Sequence, residues 1–301
     1  MADYQPDVSE TLYLLQQVIG SEPTLRGLSA FSEVDESLMA QLLTEAGKFV
    51  AEVVAPLQQV GDRVGAQWKD GQVTMPPGFR QAYQAFWQAG WPALASDPQD
   101  GGQGLPCVLE AILYEWLSAA NHGWTMAPGL LHGAYECIKH HASEDLKTQY
   151  LSKVATGEWL ATMCLTEPHA GSDLGLAATK AVPQADGSRS AVHCERIEEK
   201  MGLHGSPTCV MRFEQARAWI VGEPGKGLNA MFIMMNSARL HVAMQGMGLL
   251  DAAWQKADAY ARERRQMRAP GGGKSAGQAD LIGQHPAMRR ILDTQRAWVD
   301  G

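Results

Sequence analysis

The chain has 301 residues, of which 45% are hydrophobic and 19% are charged, and its formal net charge is -8. That length is enough to bury a large core in one or two domains. The acidic balance excludes a contact dominated by phosphate backbones, so nucleic acid is not an expected partner. No membrane span is predicted, because polar residues interrupt the most apolar stretch, residues 228–250.

The N-terminal residues and the cysteines indicate the compartment. Met1 leads into acidic and polar residues instead of a basic segment and an apolar run, so no targeting peptide is predicted. The five cysteines are widely spaced and form no C-x-x-C pair. Reduced thiols in a cytoplasm are therefore the expected state for Cys107, Cys137, Cys164, Cys194 and Cys209.

The first half of the sequence has helical periodicity. Apolar residues recur at spacings of three and four from Val8 to Ile19, from Leu38 to Val53, from Phe79 to Trp87 and from Val108 to Ala119. Glycine and proline interrupt the pattern after the third of these stretches. We expect an N-terminal all-helical domain over residues 1–157.

Strand signals begin at Trp159. The run from Trp159 to Leu165 is short and mostly apolar, which favours a buried strand, and residues 210–213 and 218–221 form another strand-like pair. A turn-rich loop follows at residues 222–227. These features predict a shortened β middle domain over residues 158–227.

Helical periodicity returns after this loop. Residues 228–267 predict one or two long helices, and residues 286–301 predict another. We expect these to form a partial C-terminal helical domain over residues 228–301, so the fold class is mainly α with a small β middle domain. The second long helix is expected to end in a basic cluster, namely Arg262, Arg264, Arg265 and Arg268.

Four other sequence features favour ordinary structural roles. Gly273 to Gly277 matches the G-x-S-x-G of a hydrolase around Ser275, but a charged segment and a proline precede it where a strand is required. A P-loop would need its first glycine where Arg268 stands. The histidines lack metal-ligand spacing, so no metal is predicted, and the methionines of residues 231–247 are interpreted as adaptable core.

One segment is more specific. By chemistry alone, Leu165 to Asp173 is a polar turn with hydroxyl donors. The longer stretch from Gly157 to Asp173, however, resembles the signature of acyl-CoA dehydrogenases. Gly101 to Pro106, Gly222 to Leu228 and Tyr260 to Gln266 match the same family in the same order. The opening residues and the loop after Gln266 are similar to the branch that contains 3-methylthiopropanoyl-CoA dehydrogenases.

The resemblance implies FAD as cofactor and an acyl-CoA as substrate. It implies that Thr166 hydrogen-bonds the flavin ring and that Ser172 lies between the flavin and the CoA. It places Asn236 and Arg239 near the acyl-CoA. Arg264 matches an arginine that reaches the flavin pyrophosphate of a neighbouring subunit. Without the resemblance, a basic cluster at a helix end would be interpreted as solvent-exposed. The full set implied at the cofactor is Met163, Cys164, Leu165, Thr166, Gly171, Ser172, Arg264, Gln266 and His285.

The reaction implied is α,β-desaturation, in which a carboxylate removes the α-proton while flavin N5 accepts the β-hydrogen as hydride. An electron-transfer flavoprotein would then take the electrons, and the family is usually dimeric or tetrameric. The base of most members lies beyond the last residue of this sequence, and the minority position, just before Arg239, is Ala238. No catalytic residue is therefore assigned.

A second departure from the family lies at Asp186 to Arg189, where family members continue through several further strands. We therefore expect an internal deletion near Ser188, a gene-model fault or an assembled fragment. Losing interior strands exposes sheet edges and removes core, so the middle domain should be unable to close in the usual way, and catalysis should be impaired. The alternative is a non-catalytic acyl-CoA-binding, flavin-binding or protein-interaction remnant that buries its exposed faces against partner chains.

Overall fold

A computed structural model describes residues 3–180, 191–271 and 277–300. Two features singled out in the sequence, the expected deletion near Ser188 and the serine of the G-x-S-x-G match, Ser275, lie outside the described residues. In the described part of the chain, no helix is both long enough and apolar enough to cross a membrane.

Helices dominate both halves of the chain. The α-helices are α1 (Val8–Tyr13), α2 (Ser21–Arg26), α3 (Glu36–Phe49), α4 (Gln58–Val64), α5 (Phe79–Gln88), α6 (Cys107–Thr125), α7 (Leu131–His141), α8 (Glu144–Leu146), α9 (Ser152–Ala155), α10 (Gly227–Glu263) and α11 (Pro286–Asp300). The strands are β1 (Gln67–Lys69), β2 (Gln72–Thr74), β3 (Ala191–Ile197) and β4 (Cys209–Glu214). Single π-helical turns extend α1 through Leu14–Val18 and α3 through Val50–Val54, and a third, Lys147–Leu151, joins α8 to α9. The helices predicted from periodicity are confirmed.

The fold comprises two compact units. The first unit contains residues 1–58, 105–125 and 240–301, and the second contains residues 59–104 and 126–239. The three-part division at residues 157 and 227 stays a prediction.

The first unit has a helical core built by α3 and α6. Asp35 caps α3 by accepting a hydrogen bond from the backbone N–H of Leu38 at 2.8 Å. The side chains that share the buried face are Met39, Leu43, Val50, Val54, Leu109, Leu113 and Leu117. Their spacing of four and seven residues places them on one face of each helix, which explains why periodicity predicted both helices.

The second unit has a smaller core and two hairpins. Leu131 and Tyr135 of α7 pack with Leu151, Val154 and Ala155. The strands pair antiparallel, β1 with β2 and β3 with β4, in two separate two-stranded sheets. A two-stranded hairpin gains little stability by itself, so each depends on the surfaces against which it packs.

The β1–β2 hairpin shows that the segment up to residue 157 is not entirely helical, contrary to the sequence analysis. Asp70 and Gly71 form its two-residue turn, with φ angles of 50° and 80°. Positive φ at both positions is the requirement of a type I′ turn, for which Asp-Gly is a favoured pair. That dipeptide was the signal in the sequence that the analysis overlooked.

Two predicted strands are wrong. Trp159 to Leu165 is irregular chain, and Met163 and Leu165 are 47% and 36% exposed. Ala218 to Val221 is likewise outside the described strands, and Ile220 is 64% exposed. The reason is physical: an apolar run becomes a buried strand only where neighbouring strands satisfy its backbone groups, and the described sheets have two strands each. Of the strand-like pair predicted at residues 210–213 and 218–221, the first strand is confirmed, because residues 210–213 lie in β4.

The long C-terminal helix is one continuous element, α10, and it ends at Glu263. Arg262 lies in its last turn, but Arg264, Arg265 and Arg268 lie beyond the helix instead of on it. The predicted basic helix end is therefore corrected to a basic segment that follows the helix.

Candidate functional site

The signature segment is held by Glu167. Its backbone N–H and C=O exchange hydrogen bonds of 3.0 Å with Ala170, closing a tight turn. Its carboxylate accepts hydrogen bonds from the backbone N–H groups of Ala178 and Thr179, both at 2.9 Å. The hydrogen bonds from Ala178 and Thr179 lower the pKa of Glu167 to about 2. The segment is thus a loop closed by one carboxylate.

Two more side chains shape this loop. His169 Nε2 lies 3.1 Å from the carbonyl oxygen of Leu176 and 3.4 Å from the Glu167 carboxylate. Asp173 accepts a hydrogen bond of 3.1 Å from the N–H of Gly175. The sequence analysis did not single out Glu167 or His169. The signal was a carboxylate placed before glycines and other small residues, whose N–H groups a nearby acceptor can reach.

The flavin-lining residues implied by the resemblance all lie on this loop or just before it. Met163, Cys164, Leu165, Thr166, Gly171 and Ser172 are all exposed. Thr166 and Gly171 face each other across the turn, since a Cβ added at Gly171 would lie 3.9 Å from Thr166 Cγ2. The loop therefore presents hydroxyl groups and small residues, but its backbone belongs to no described strand.

The two implied substrate-contacting residues form a pair on α10. Arg239 Nη1 donates a hydrogen bond of 2.9 Å to Asn236 Oδ1, as residues three apart on a helix can do. The Arg239 guanidinium also lies 5.9 Å from the centre of the Phe232 ring. Both polar side chains are exposed. Together they offer a cation with an oriented amide, which suits an anionic or carbonyl-bearing ligand.

The remaining three cofactor candidates are brought together in the first unit. Gln266 donates its backbone N–H to Asp280 O at 2.9 Å, and His285 Nε2 lies 3.0 Å from the carbonyl oxygen of Gln266. The Arg264 carbonyl accepts a hydrogen bond of 2.8 Å from Ile282 N–H. Arg264, Gln266 and His285 thus lie on two chain segments that run side by side.

Neighbouring residues anchor this basic segment. Buried Asp280 accepts a hydrogen bond of 2.9 Å from Ala269 N–H, and its other carboxylate oxygen lies 3.5 Å from Arg268. Arg265 donates to the Ala279 carbonyl oxygen at 3.2 Å. The exposed guanidinium of Arg264 remains on the surface, where it could contact a phosphate.

The turn that leads into the glycine-rich segment Gly101 to Pro106, which also carried the resemblance, is fixed at Asp97 and Asp100 by a network that was not predicted. Tyr135 OH donates to Asp100 at 2.7 Å, and Lys139 Nζ donates to Asp97 and Asp100, both at 2.8 Å. Burial alone would lower the pKa of Lys139, but the hydrogen bonds to both carboxylates raise it overall. A Cβ at Gly102 would lie 2.0 Å from Ser96 O, so the backbone approach demands glycine.

These groupings fit FAD only in part. Exposed Arg264 beside His285 and Gln266 provides the donor chemistry of a pyrophosphate site. The residues implied at the isoalloxazine ring of FAD fit that cofactor less well. Met163 to Thr166 is exposed irregular chain, whereas a flavin wall would be part of a sheet. Within the described ranges, no group of three or more His, Cys, Asp or Glu could hold a metal ion.

Comparisons with known proteins agree on one family. The profile described as Acyl-CoA dehydrogenase, N-terminal domain, matches residues 39–158. The chain is 33% identical to the 3-methylmercaptopropionyl-CoA dehydrogenase of Ruegeria pomeroyi, over 99% of this chain and 60% of that protein. It is 28% identical to a broad-specificity linear acyl-CoA dehydrogenase of Mycobacterium tuberculosis, over 100% of this chain and 60% of that protein.

The chain thus spans about three fifths of the length of these curated relatives. The alignment with the first runs over 355 positions, more than the 301 residues of this chain, so it includes residues of the relative that have no counterpart here. Among solved structures, the butyryl-CoA dehydrogenase of Megasphaera elsdenii is similar with a TM-score of 0.70 and 18% identity, covering 87% of this chain and 76% of that one. The predicted fold class is confirmed.

Proposed function

We propose that this chain, which is 33% identical to the Ruegeria dehydrogenase and matches the N-terminal acyl-CoA dehydrogenase profile over residues 39–158, is an acyl-CoA desaturase scaffold that retains contacts for FAD and an acyl-CoA but completes neither site within these 301 residues. Acyl-CoA, an electron-transfer flavoprotein and a second copy of the chain are the partners that this proposal includes. Turnover by the 301-residue chain is expected to be very low.

One observation carries the proposal: the signature loop is present, but it lies exposed and outside the described strands. A flavin wall must be preorganised, because a ligand that has to order its own site loses affinity. The unmatched residues in the alignment with the Ruegeria relative support the same interpretation, since they are segments of that protein that this chain lacks.

The chain's own residues have separable roles in this proposal. Thr166 donates a hydroxyl hydrogen bond to the flavin ring, Arg264 contacts the pyrophosphate, and the Asn236–Arg239 pair orients the acyl-CoA. Bound FAD supplies the hydride acceptor. Ala238 supports low turnover, since an alanine cannot remove the α-proton, and losing a general base typically costs about 10²- to 10⁴-fold in rate.

The test is to purify the 301-residue chain, titrate it with FAD by flavin fluorescence, and assay desaturation of short acyl-CoA thioesters with an artificial electron acceptor. 3-Methylmercaptopropionyl-CoA and butyryl-CoA belong in the substrate panel because of the relatives' names. We expect weak FAD binding and turnover at least about 10²-fold below an intact relative assayed in parallel. Turnover equal to that of the relative would contradict the proposal.

A matched pair of variants separates specific flavin contact from non-specific binding. Thr166→Ala should weaken FAD binding about fivefold, which corresponds to the loss of one hydrogen bond. Thr162→Ala, on the same exposed stretch, should leave binding unchanged. Equal effects of both variants, or no effect of either, would remove Thr166 from the site.

A second candidate function, the non-catalytic interaction remnant, is favoured by exposed aromatic and aliphatic side chains of the second unit. Trp219 is 54% exposed and Ile220 is 64% exposed, so two neighbouring large apolar side chains are available to a partner chain. If added FAD gives no change in fluorescence while sedimentation shows stable self-association, this second function replaces the first.

A further inference from the structure

Two cysteines lie on the same face of the β3–β4 hairpin. Cys194 is directly opposite Met211 in the register of the pair, and Cys209 lies two residues before Met211 on the same strand. Opposite residues of an antiparallel pair, and alternate residues of one strand, share a face. Cys194 and Cys209 are therefore diagonal neighbours.

The two thiols lie on this shared face, and both side chains are partly buried. A β-bulge interrupts the register between Cys194 and Arg196, which increases the local twist of the hairpin. The thiol of Cys194 donates a hydrogen bond of 3.5 Å to the Arg196 carbonyl oxygen, and the thiol of Cys209 donates one of 3.8 Å to the Pro207 carbonyl oxygen. A disulfide forms if both thiols turn from these carbonyl oxygens towards each other.

The surrounding contacts hold this geometry. Trp68 Nε1 donates a hydrogen bond of 3.0 Å to the carbonyl oxygen of Cys194. The chain between the two cysteines is anchored by His204, whose carbonyl oxygen accepts Ala66 N–H at 2.7 Å and whose Nδ1 lies 3.1 Å from Asp62 O. Disulfide formation would therefore join two positions that other contacts already hold.

We propose that Cys194 and Cys209 form an oxidisable pair, which a hydroperoxide converts to an intramolecular disulfide across the β3–β4 hairpin. This inference is independent of the proposed function, since it needs neither FAD nor acyl-CoA. The sequence analysis predicts only that the cysteines are reduced thiols. The proposal adds that oxidation of two of them gives one defined product, a disulfide.

The chemistry balances. The Cys194 thiolate attacks one oxygen of the hydroperoxide, the O–O bond breaks, and the products are a sulfenic acid and, after proton uptake, an alcohol or water. The Cys209 sulfur then attacks the sulfenic sulfur, an S–S bond forms, the S–O bond breaks, and the oxygen leaves as water. Two electrons pass from the two thiols to the peroxide.

The order of attack follows from the environment of Cys209. Burial, followed by the neighbouring Cys194, raises the pKa of Cys209 to about 11. Because the thiolate is the nucleophile, Cys209 is poorly suited to react first with peroxide and suited to resolve an oxidised Cys194 on the same face of the hairpin.

A third thiol, Cys164, lies close enough to contribute to the electrostatic environment of Cys209. It is exposed and stands on the stretch that leads to Thr166. Its position makes it the natural competitor for Cys209, and the experiment must distinguish a Cys194–Cys209 bond from one that includes Cys164.

The experiment treats the full 301-residue chain with a small molar excess of hydrogen peroxide, counts free thiols, and maps cross-linked peptides by mass spectrometry without reduction. We expect two of the five thiols to be lost, a Cys194–Cys209 peptide as the main product, and full reversal by dithiothreitol. Cys194→Ser and Cys209→Ser should each abolish the cross-link, whereas Cys164→Ser and the matched control Cys137→Ser should leave it.

Two results would overturn the proposal. One is a main disulfide that contains Cys164. The other is oxidation of Cys194 to sulfinic acid while Cys209 stays open to alkylation in the unsubstituted chain. Because that second measurement uses no variant, it decides the matter even if a serine substitution prevents folding.

Discussion

Two regions differ in how their backbone N–H and C=O groups obtain hydrogen-bond partners. They are the contact between α6 and α10 in the first unit and the signature loop of the second unit. In the helical contact, each helix supplies partners for its own backbone groups, and the two helices approach until a Cβ at Gly248 would lie 2.3 Å from Glu115 O. In the loop, residues 159–166 form no described ladder, and one carboxylate, Glu167, accepts two backbone N–H groups.

The difference shows which elements form from local sequence. A helix closes its backbone hydrogen bonds within itself and needs only a partner face, whereas a strand needs at least one neighbouring strand to pair its backbone groups. We expect changes at the helical contact to alter global stability, and changes in the loop to alter only local opening.

The largest expected effect is that of Gly248→Ala. The new methyl group would overlap the Glu115 carbonyl oxygen, and a backbone atom cannot rotate away as a side chain does. We expect a loss of about 2–4 kcal/mol in the free energy of unfolding, measured by urea denaturation.

Gly246→Ala is the matched control for that change. It lies two residues earlier on α10, and a Cβ added there meets nothing within 4 Å. Replacing a helical glycine with alanine in open space should stabilise the chain by about 0.5–1 kcal/mol. If both variants were equally destabilising, close helix approach would not explain the Gly248 effect.

The next effect is a pH dependence from an acidic pair at the same contact. Burial, followed by the nearby charge of Asp251, raises the pKa of Glu115 to about 7, and burial also raises the pKa of Asp251. Tyr4 donates a hydrogen bond of 2.8 Å to Asp251 and so tethers the N-terminal segment to α10. Ionisation of Glu115 is therefore unfavourable in the folded chain.

The sign follows from a folded pKa that lies above the unfolded one. Stability from this group is fully present below about pH 4.5 and is lost as pH rises to about 7. Glu115→Gln should flatten that decline and stabilise the chain by about 1–3 kcal/mol at pH 8. Thermal unfolding of both proteins at pH 4.5 and pH 8 measures it, with the exposed Glu45→Gln as control. An equal gain at both pH values would rule out ionisation as the cause.

The same contrast explains what the sequence revealed. The buried faces of α3 and α6 repeat at helical spacing, so their existence follows from local pattern alone. Trp159 to Leu165 has an equally apolar pattern, but whether it becomes a strand depends on residues far along the chain. Similarly, the motif predicts which residues contact the cofactor, and that assignment stays a prediction, whereas the Glu167 and Lys139 networks depend on tertiary contacts.

The smallest global effect, and the clearest local one, is expected for Glu167→Gln. A neutral amide is a weaker acceptor than a carboxylate for the N–H groups of Ala178 and Thr179, so the loop should open more often. We expect faster amide hydrogen exchange at these two residues with an unchanged midpoint of global unfolding. Glu158→Gln, which removes only the exposed ion pair with Lys153, is the matched control and should leave both amides protected.

The pH dependence of this loop should run opposite to that of Glu115. Because the folded pKa of Glu167 is lowered to about 2, protection of the two amides is present above about pH 4.5 and is lost as pH falls towards 2. Exchange rates corrected for their intrinsic pH dependence measure this in the unsubstituted chain. If Glu167→Gln lowered the global midpoint as much as Gly248→Ala does, the loop would be part of the cooperative core, and the contrast between the two regions would fail.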